Sequence, residues 1–437
     1  MGSDVQLASQ RLADLCADVS YGYTASANTE PVGPKFLRIT DIQGGRFDWN
    51  EVPYCTAEPR LVDKYQLARG DIVVARTGNS TGENAQIWSV DEPAVFASYL
   101  IRFRVDDRLA NPFFVGYQLR SARFFGFVMS VRGGSAQPGA NAKQLGSFDV
   151  QLVDRKAQDE AVETLRTIDD RIDLLRQTNT TLEAIAQALF KSWFVDFDPV
   201  HAKAEGRTPE AMDAATAALF PSEFEESELG PIPKGWRAGT LDDLSHLNPS
   251  SWSSKRHPDA VIYVDLSGVH ENRIGAVKEL PYSDTPSRAR RSLRDGDTIV
   301  GTVRPGNRAF AYIHHPAANL TGSTGFAVLS PKDEASASFV YLAATRDDSI
   351  ERLANLADGG AYPAVRPNVV SATPVVIPTT SIITAFSRIT IPMLHKIGES
   401  RDAEATLVEL RDTLLPRLIS GKLRLPDVVE ATEGVLV

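Results

Sequence analysis

Apolar side chains recur every three or four positions along residues 156–194, which is the spacing of one face of an α-helix. Asn179 takes an a position of this seam, where a buried amide fixes the helix register at some cost in stability. The equal alternative is that Asn179 is partly exposed. The pattern predicts a long helix that has a helical partner, and its seam consists of Leu165, Ile168, Ile172, Leu175, Asn179, Leu182, Ala186, Leu189 and Trp193.

A second long helix is predicted at residues 381–420, with a less regular apolar face. The stretch GESRD at 398–402 weakens its middle, and we expect Pro392 and Pro416 to kink or interrupt it. Because neither long helix has a partner in its own half of the sequence, we expect the two to pair. The apolar face of the second consists of Phe386, Ile389, Met393, Ile397, Leu407, Leu410, Leu414 and Leu418.

Shorter apolar runs, rich in β-branched residues and bounded by Gly, Pro, Asn and Asp, predict strands. DIVVA at 71–75 and SYLIRFRV at 98–105 are examples. Short helices are predicted near 111–128 and 338–356. Strands and helices thus alternate outside the two long helices.

This order of elements occurs twice along the chain. LARGDIVVARTG at 67–78 matches LRDGDTIVGTVR at 293–304 with a numbering offset of 226. After the loss of one residue, an offset of 225 carries TLEAIAQALF at 181–190 onto TLVELRDTLL at 406–415. A nearly constant offset indicates an internal repeat. The fold class predicted is therefore α+β, with two similar α/β domains in tandem, each followed by a long helix.

The repeat also sets the expected domain boundaries. The segment between the copies is acidic, with a net charge of −7 over residues 196–230, and it contains five prolines by residue 233. It is therefore interpreted as a linker or a lightly packed excursion. The predicted segments are a first domain at 1–150, its helix at 151–195, the linker at 196–235, a second domain at 236–378, its helix at 379–425 and a tail at 426–437.

Charge and composition limit the possible classes of protein. Taken as a whole, the net charge of −10 argues against nucleic-acid binding. The charge is unevenly distributed, however, because residues 20–150 carry about +1 and residues 235–378 carry zero. The two largest regions are thus near neutral, and DNA binding stays open. The apolar runs are too short for a membrane span and no leader precedes them, so a soluble intracellular protein is expected. Two cysteines cannot form a disulfide framework. His314 and His315 have no Cys, Asp or Glu at ligand spacing beside them, which argues against a metal site.

The sequence lacks the motifs of several enzyme classes. It has no phosphate-binding loop, no G-x-S-x-G elbow and no zinc-protease helix. It also lacks the proline-rich aromatic loop of amino-methyltransferases, since NPFF at 111–114 has one proline and is typical of a helix start. We therefore expect a chain that is not an enzyme and binds no metal.

The loops of the two copies carry side chains that suit DNA. Arginine pairs with guanine, and Asn or Gln pairs with adenine, through two hydrogen bonds each. Glycine allows the backbone to approach a phosphate closely. The alternative is that any polar surface loop has such residues. The candidates are Arg76, Asn79, Ser80, Arg132, Ser135, Gln137, Asn141 and Lys143 in the first copy, and Arg304, Asn307, Arg308, Tyr362, Arg366 and Asn368 in the second.

Three stretches resemble one known family over essentially the whole chain. ALFKSWFVDFDPV at 188–200, LGPIPKGW at 229–236 and LRDTLLPRLISGKL at 410–423 are similar to the specificity subunits of Type I restriction–modification systems. The acidic stretch 200–228 departs from the family pattern, because it is longer than a minimal connector.

The resemblance implies a non-catalytic subunit that recognises double-stranded DNA. Each of its two target-recognition domains would read one half of a two-part site. The long helices would pair as an antiparallel coiled coil about a pseudo-two-fold axis and set the gap. Two methylation subunits, acting on adenine, and restriction subunits would be its partners. The chain itself would bind no cofactor; S-adenosylmethionine, ATP and Mg²⁺ would belong to those partners. The complex would be cytoplasmic, in a bacterium or an archaeon.

The aromatic end of the first long helix, Phe190, Trp193 and Phe194, is a candidate interface with the partner subunits, since aromatic residues are enriched in interfaces. The equal alternative is that these side chains pack against the chain's own recognition domain or second helix.

Two other functions stay open. One is a specificity subunit of a fused restriction–modification enzyme that cuts on both sides of its site. The other is a structural or interaction module without a DNA role.

Overall fold

The structure, a computed structural model, describes residues 8–42, 44–133, 138–275 and 277–423. The chain forms two compact units. Unit 1 comprises Met1–Asp173 and Glu404–Val437, and unit 2 comprises Leu174–Ala403. Both units include a segment of each long helix, so this division does not test the domain boundaries predicted from the sequence, which stay a prediction.

Unit 1 is built on an antiparallel sheet whose strands lie in the spatial order Cys16–Tyr21, Leu100–Val105, Ile72–Ala75 and Asn84–Gln86. Its other strand pairs are Lys35–Leu37 with Ala94–Phe96, in parallel, and Ala8–Arg11 with Asp149–Leu152, antiparallel. Its short helices are Pro59–Tyr65, Pro112–Leu119, Ala122–Val131 and Ala142–Gly146, with 3₁₀ turns at Leu12–Leu15 and Ile39–Asp41.

Local sequence explains these elements. All four residues of the central strand Ile72–Ala75 are buried, as a continuous apolar run with both faces covered predicts. Asn111 caps the helix Pro112–Leu119, because its side chain accepts a hydrogen bond from the backbone N–H of Phe113 at 2.9 Å. The interpretation of NPFF as a helix start is therefore confirmed.

Unit 2 repeats this architecture and adds to it. Its corresponding antiparallel sheet has the order Ser245–Leu247, Phe326–Pro331, Thr298–Gly301 and Phe310–Tyr312. A second sheet has the order Lys278–Pro281, Ala260–Val264, Leu320–Ser323 and Ala289–Ser292. The remaining strand pairs are Arg237–Thr240 with Pro374–Ile377, Phe224–Ser227 with Gly230–Pro233, and Val269–His270 with Arg273–Ile274.

The helices of unit 2 cover its sheets. Ala337–Thr345 is buried along its whole length. Asp347–Leu356 follows it after the single residue Arg346, so the helix predicted near 338–356 is two helices. The other helices are Asp198–Ala204, Ala214–Leu219, Leu241–Leu244 and Pro367–Ser371, and 3₁₀ turns lie at Leu266–Gly268, Tyr282–Asp284, Pro305–Asn307 and Glu334–Ser336.

Strand register confirms the internal repeat. In unit 1, Ile72 lies opposite Phe103 on one side and Gln86 on the other. In unit 2, Thr298 lies opposite Leu329 and Tyr312. Each of the three unit 2 positions follows its counterpart with the same offset of 226. The offset found in the amino-acid sequence is therefore also the offset between the paired strand residues.

The two long helices are Arg155–Phe194 and Thr380–Ile419, each of 40 residues and 225 positions apart. In unit 1, Asp169 of the first contacts Arg411 of the second, with 3.0 Å between their charged atoms. In unit 2, the ring of Phe194 lies 4.9 Å from that of Phe386. Later residues of the first helix thus meet earlier residues of the second, as in the antiparallel pair that was expected.

The predicted seam of the first long helix is confirmed, since Leu165, Ile168, Ile172 and Ala186 are all buried. Asn179 is buried as well, which decides between its two interpretations. Neither amide atom of Asn179 has a hydrogen-bond partner among the described residues. An unpaired buried amide costs free energy at this place, as expected of a residue that specifies register.

Three expectations were wrong. The second long helix is not interrupted at Pro392 or Pro416, because it is one helix from Thr380 to Ile419. Each proline removes one backbone hydrogen bond, and the packing of neighbouring residues such as Leu394 and Leu414 offsets that loss. The expected kink stays a prediction. Ile389, placed on the apolar face of this helix, is exposed. The acidic segment 196–235 is not lightly packed, since its Val200 and Phe220 are buried in the core of unit 2. Net charge says little about packing, because the acidic side chains point outward while the apolar ones between them are buried.

No helix among the described residues is both long and apolar enough to cross a membrane.

Candidate nucleic-acid interface

In unit 1, two loops that carry predicted DNA contacts are joined by backbone hydrogen bonds. The first loop follows the central strand Ile72–Ala75, and the second precedes the helix Ala142–Gly146. The N–H of Gly78 donates to the carbonyl of Pro138 at 2.7 Å, and the N–H of Ala140 donates to that of Arg76 at 3.0 Å. Candidates that lie far apart in the sequence are thus brought together.

Unit 2 has the same pair of loops with the same bonds. The N–H of Arg304 donates to the carbonyl of Pro363 at 2.7 Å, and the N–H of Val365 donates to that of Thr302 at 2.9 Å. These residues are 225 or 226 positions after their counterparts, but their side chains differ. The repeat therefore provides one backbone frame with two sets of recognition residues.

The first-copy candidates occupy this frame in unit 1. Arg76 is half-buried, donates from Nε to the carbonyl of Ser98 at 3.0 Å, and stacks over the ring of Tyr21 at 5.0 Å. In the same loop Asn79 is exposed, whereas Ser80 is half-buried like Arg76. Packing against Tyr21 fixes the direction of the Arg76 guanidinium, and fixed geometry is what a two-bond contact to a base requires.

In unit 1, the second of the two paired loops is only partly described. Asn141 is exposed and its side chain accepts from the N–H of Gln144 at 2.9 Å, so it caps the helix Ala142–Gly146. Lys143 is exposed, and Arg132 is half-buried at the end of the helix Ala122–Val131. Ser135 and Gln137 lie outside the described residues.

In unit 2, Arg304 and Tyr362 form the most prominent pair of candidates. The Arg304 guanidinium lies 4.7 Å from the centre of the Tyr362 ring and donates to the carbonyl of Ala361 at 2.7 Å. Tyr362 is 73% exposed. Because the Tyr362 ring is exposed and the Arg304 guanidinium packs against it, the ring offers a flat surface on which a base can stack.

The other second-copy candidates surround that pair. Asn307, Arg366 and Asn368 belong to the same two loops and the helix start that follows them. Arg366 directly precedes the helix Pro367–Ser371 and Asn368 is within its first turn. In the part of the chain that the structure describes, Arg304 and Arg366 form no ion pair, so their charge is available to a phosphate.

Arg308 is placed differently from the other candidates. It pairs with Glu271 and, at 2.8 Å, with Asp347, and its own φ is +57°. Two carboxylates already neutralise its charge. The geometry therefore gives Arg308 a structural role within unit 2, and its predicted DNA contact has no support from its position.

Sequence reasoning missed two tyrosines at the unit 1 face. The Tyr21 hydroxyl accepts the N–H of Ala142 at 3.0 Å, which ties the central sheet to the second loop. Tyr99 is 57% exposed, immediately before the strand Leu100–Val105. A large aromatic residue at or beside a strand, in a position whose side chain does not point into the core, is a signal that could have identified both.

The aromatic helix end is buried within unit 2. We define the aromatic cluster as Phe190, Trp193, Phe194, Phe339 and Phe386. Ring centres in this cluster lie 5.0 Å apart for Phe190 with Phe339 and for Phe194 with Phe339, and the three helix residues are at most 4% exposed. The interface interpretation was therefore wrong for these side chains, because the alternative, packing on the chain's own recognition domain and second helix, removes them from any partner.

Known proteins share this organisation. A family model described as the Type I restriction modification DNA specificity domain matches residues 33–184. The Type I restriction enzyme HindI specificity subunit of Haemophilus influenzae is 24% identical over 470 aligned positions, which cover 94% of this chain and 98% of that protein. The Type I restriction enzyme MjaIX specificity subunit of Methanocaldococcus jannaschii is 20% identical over 320 positions, covering 71% of this chain and 69% of that protein.

A solved structure shows the same fold. The crystal structure of the Type I restriction–modification system S subunit from M. genitalium has a TM-score of 0.56 and 14% sequence identity, covering 96% of this chain and 97% of that one. Residues 33–184 thus match a DNA specificity domain, and the chain is similar along nearly its whole length to a Type I specificity subunit. The resemblance stated from the sequence is therefore confirmed, together with the fold that it implied.

Proposed function

We propose that this chain recognises a two-part double-stranded DNA site, one half through unit 1 and the other through unit 2, and directs adenine methylation and restriction by partner subunits. The observation that carries the proposal is the duplicated loop frame. Its backbone bonds are equivalent in the two units, whereas the side chains differ, with the loop of Arg76 and Asn79 in one and that of Arg304 and Asn307 in the other. Two units that share the backbone of these loops but differ in their side chains are suited to recognising two different DNA sequences.

The chain's own part in the reaction is recognition. Arginine and asparagine side chains on these frames would read base edges in the major groove, while cations beside them would contact phosphates. Two methylation subunits would supply S-adenosylmethionine, and restriction subunits would supply ATP and Mg²⁺. Such a complex would work in the cytoplasm, where the DNA is.

Burial of the aromatic cluster moves the expected partner interface elsewhere on the first long helix. Leu174 and Ile185 are 52% and 42% exposed, and a step of eleven positions along a helix returns to the same face. Two apolar side chains on one exposed helical face suit the centre of an interface with a methylation subunit. The double variant Leu174→Ser/Ile185→Ser should reduce co-purification with that subunit. The control Thr180→Ala/Ala184→Ser should not, because these exposed positions lie roughly 80–120° around the helix from Leu174.

Methylome sequencing of cells that express the chain with its methylation subunits tests the two-reader proposal. Arg76→Ala/Asn79→Ala should relax the sequence of one half of the methylated site. Arg304→Ala/Asn307→Ala should relax the other half. Each variant serves as the control for the other, because the same residue types are removed from similar places of the repeat.

The proposal fails if either variant relaxes both halves, or if both variants leave the methylated sequence unchanged at wild-type expression. A methylome without any two-part motif would contradict it directly. Each lost base contact should cost about 1–3 kcal/mol, which is roughly a fivefold to 150-fold loss of discrimination.

The long helices are proposed as the spacer between the two half-sites. Each helix of 40 residues spans about 60 Å, at ~1.5 Å per residue. Insertion of seven residues between Leu175 and Leu182 keeps the seam in phase and adds about 10 Å, or roughly three base pairs of B-DNA. With a matching insertion near Glu399, both half-sequences should persist while the unread gap lengthens. An unchanged gap with full activity would exclude the helices as the spacer.

A further inference from the structure

Three of the seven histidines of the sequence meet in unit 2. His314 and His315 follow the strand Phe310–Tyr312, and their rings stack with centres 4.1 Å apart. His395 lies on the second long helix, with its ring centre 4.8 Å from that of His314 and 5.7 Å from that of His315. The three imidazoles are brought together from two elements that are distant in the sequence.

Strand pairing adds a carboxylate to this group. The N–H of Gly296 donates to the carbonyl of Ile313 at 2.9 Å, which places Asp295 beside the histidine pair. Oδ1 of Asp295 accepts the backbone N–H of His315 at 2.6 Å. Candidate ligand atoms of Asp295, His314 and His315 all lie within 4.8 Å of one another. The carboxylate is therefore fixed by the backbone and does not depend on a flexible loop.

His314 is held tightly against the second long helix. A Cβ at Gly398 would overlap the His314 ring, so only glycine allows this approach. Nδ1 of His314 is buried and has no hydrogen-bond partner among the described residues. A buried ring nitrogen without a partner costs free energy, and a bound ion would remove that cost.

The backbone at His315 is also fixed by its surroundings. Its φ is +40°, a conformation that a non-glycine residue adopts only when its surroundings impose it.

The first copy has no such group at the same place of the repeat. Residues 226 positions before Asp295 and His314 are Arg69 and Trp88. Trp88 stacks on Phe113 with ring centres 4.2 Å apart, and Arg69 lies 4.7 Å from the same phenylalanine ring. Unit 1 therefore fills this place with a cation–aromatic stack. The histidines of unit 2 do not result from the fold alone.

We propose that Asp295, His314, His315 and His395 bind one divalent first-row transition-metal ion, of which Zn²⁺ is the test case. Three imidazoles and one carboxylate are a ligand set that zinc accepts, whereas Mg²⁺ and Ca²⁺ favour oxygen ligands throughout. Tetrahedral zinc places its ligand atoms ~3.3 Å apart. Ligand atoms of Asp295, His314 and His315 now lie within 4.8 Å of one another, so binding requires these side chains and His395 to rotate toward the ion. The ion clamps the loop after Phe310–Tyr312 to the second long helix within unit 2.

Metal binding by the purified full chain is the test. After treatment with a chelator, the chain is titrated with Zn²⁺ by calorimetry and with Co²⁺ by visible absorption. We expect one ion per chain, with the intense visible bands of tetrahedral Co²⁺. The double variant His315→Gln/His395→Gln should bind at least about a hundredfold more weakly, since loss of even an indirect metal contact costs roughly ten- to a hundredfold.

The matched control is His246→Gln/His270→Gln, which removes two exposed histidines from the same unit and should change affinity less than about twofold. Gly398→Ala keeps all four ligands but displaces His314, so it should weaken binding at least about tenfold. Far-UV circular dichroism verifies folding for each variant. Absence of a one-to-one site in the wild-type chain, or equal affinity of the wild type and the folded His315→Gln/His395→Gln variant, overturns the proposal.

Discussion

The two units attach their strand-rich regions to the long helices by different chemistry. In unit 1 the contact centres on the buried carboxylate of Asp169 in the first long helix. Its oxygens lie 2.8 Å from a nitrogen of Arg46, 3.1 Å from Arg120 and 3.0 Å from Arg411. Tyr117 donates its hydroxyl to the same group at 2.9 Å. Burial alone would raise the pKa of Asp169, but the three guanidinium groups outweigh it and lower that pKa.

In unit 2 the corresponding attachment is the aromatic cluster. Its main polar addition is Glu183 of the first long helix, which accepts the hydroxyl of Tyr341 at 2.5 Å and the amide of Asn272 at 2.8 Å. Burial, and next the charge of Glu183, raise the pKa of Tyr341. Tyr341 therefore stays neutral and continues to donate across the whole accessible pH range.

The difference shows that the repeat keeps backbone register while the chemistry of packing diverges. An ion cluster responds to pH and requires every partner, because a buried charge without its counter-ion is costly. An aromatic cluster responds to volume and area. The two units should therefore fail under different conditions and by different substitutions.

The largest effect is expected in the aromatic cluster. Phe194→Ala should destabilise unit 2 by about 3–5 kcal/mol, since it leaves a cavity among Phe190, Phe339 and Phe386. Urea denaturation with hydrogen exchange read from peptides of residues 198–403 measures it. Ile185→Ala, on an exposed position of the same helix, should cost less than about 1 kcal/mol. Equal costs for the two variants would contradict the burial of Phe194.

The ion cluster of unit 1 comes next. Asp169→Ala should cost about 3 kcal/mol, because three largely buried guanidinium groups then lose their common counter-ion. Asp170→Ala is the matched control, since Asp170 is 64% exposed and pairs with its helical neighbour Arg166. Hydrogen exchange in peptides of residues 8–133 reports the change. A similar cost for both variants would show that the cluster adds nothing.

A smaller effect separates two equivalent aspartates that precede the central strands. Asp71 in unit 1 is buried and bonded twice by Arg104, at 2.7 Å each. Its counterpart Asp297 is also buried, but the position of Arg104 is occupied by Ser330. Arg104→Ser should therefore destabilise unit 1 by about 2 kcal/mol, the cost of leaving a buried carboxylate without its cation. Arg108→Ser, which removes an exposed arginine, should leave thermal melting within error.

The smallest effect is a pH dependence of opposite sign in the two units. The pKa of Asp169 is lowered, so its stabilisation is present above the unfolded pKa of ~3.9 and is lost as pH falls through the folded pKa. Burial raises the pKa of Asp297, so its contribution declines as pH rises through the window above ~3.9. Asp169→Asn should thus be most damaging at neutral pH, and Asp297→Asn should be relatively stabilising there. Thermal melts of both variants from about pH 3 to 7 test these signs.

Much of the fold could be predicted because periodicity and repetition are local properties of the sequence. The seam from Leu165 to Trp193 specified the first long helix, and the offset of 226 specified that the pairing of Ile72 with Phe103 recurs as that of Thr298 with Leu329. Both signals are readable from one chain. The loop candidates followed from the same repeat, and the structure brings the described ones together within each unit.

The rest depends on contacts that no local pattern contains. Burial of Phe190 and Phe194 is decided by Phe339, which is distant in the sequence. His314 looked isolated because its neighbours Asp295 and His395 come from another turn and from the second long helix. Arg308 looked free because its two carboxylate partners approach it only in the folded unit. Contacts between residues so distant in the sequence can be identified only from the three-dimensional structure.

The central claim is that each unit reads its own half of the DNA site. Exchange of residues 20–150 for the equivalent region of a Type I specificity subunit, followed by methylome sequencing with the cognate methylation subunits, tests it most directly. We predict that one half of the methylated site changes to the donor's half-sequence while the other half is retained. A change in both halves, or retention of the original site by an active chain, would contradict the account.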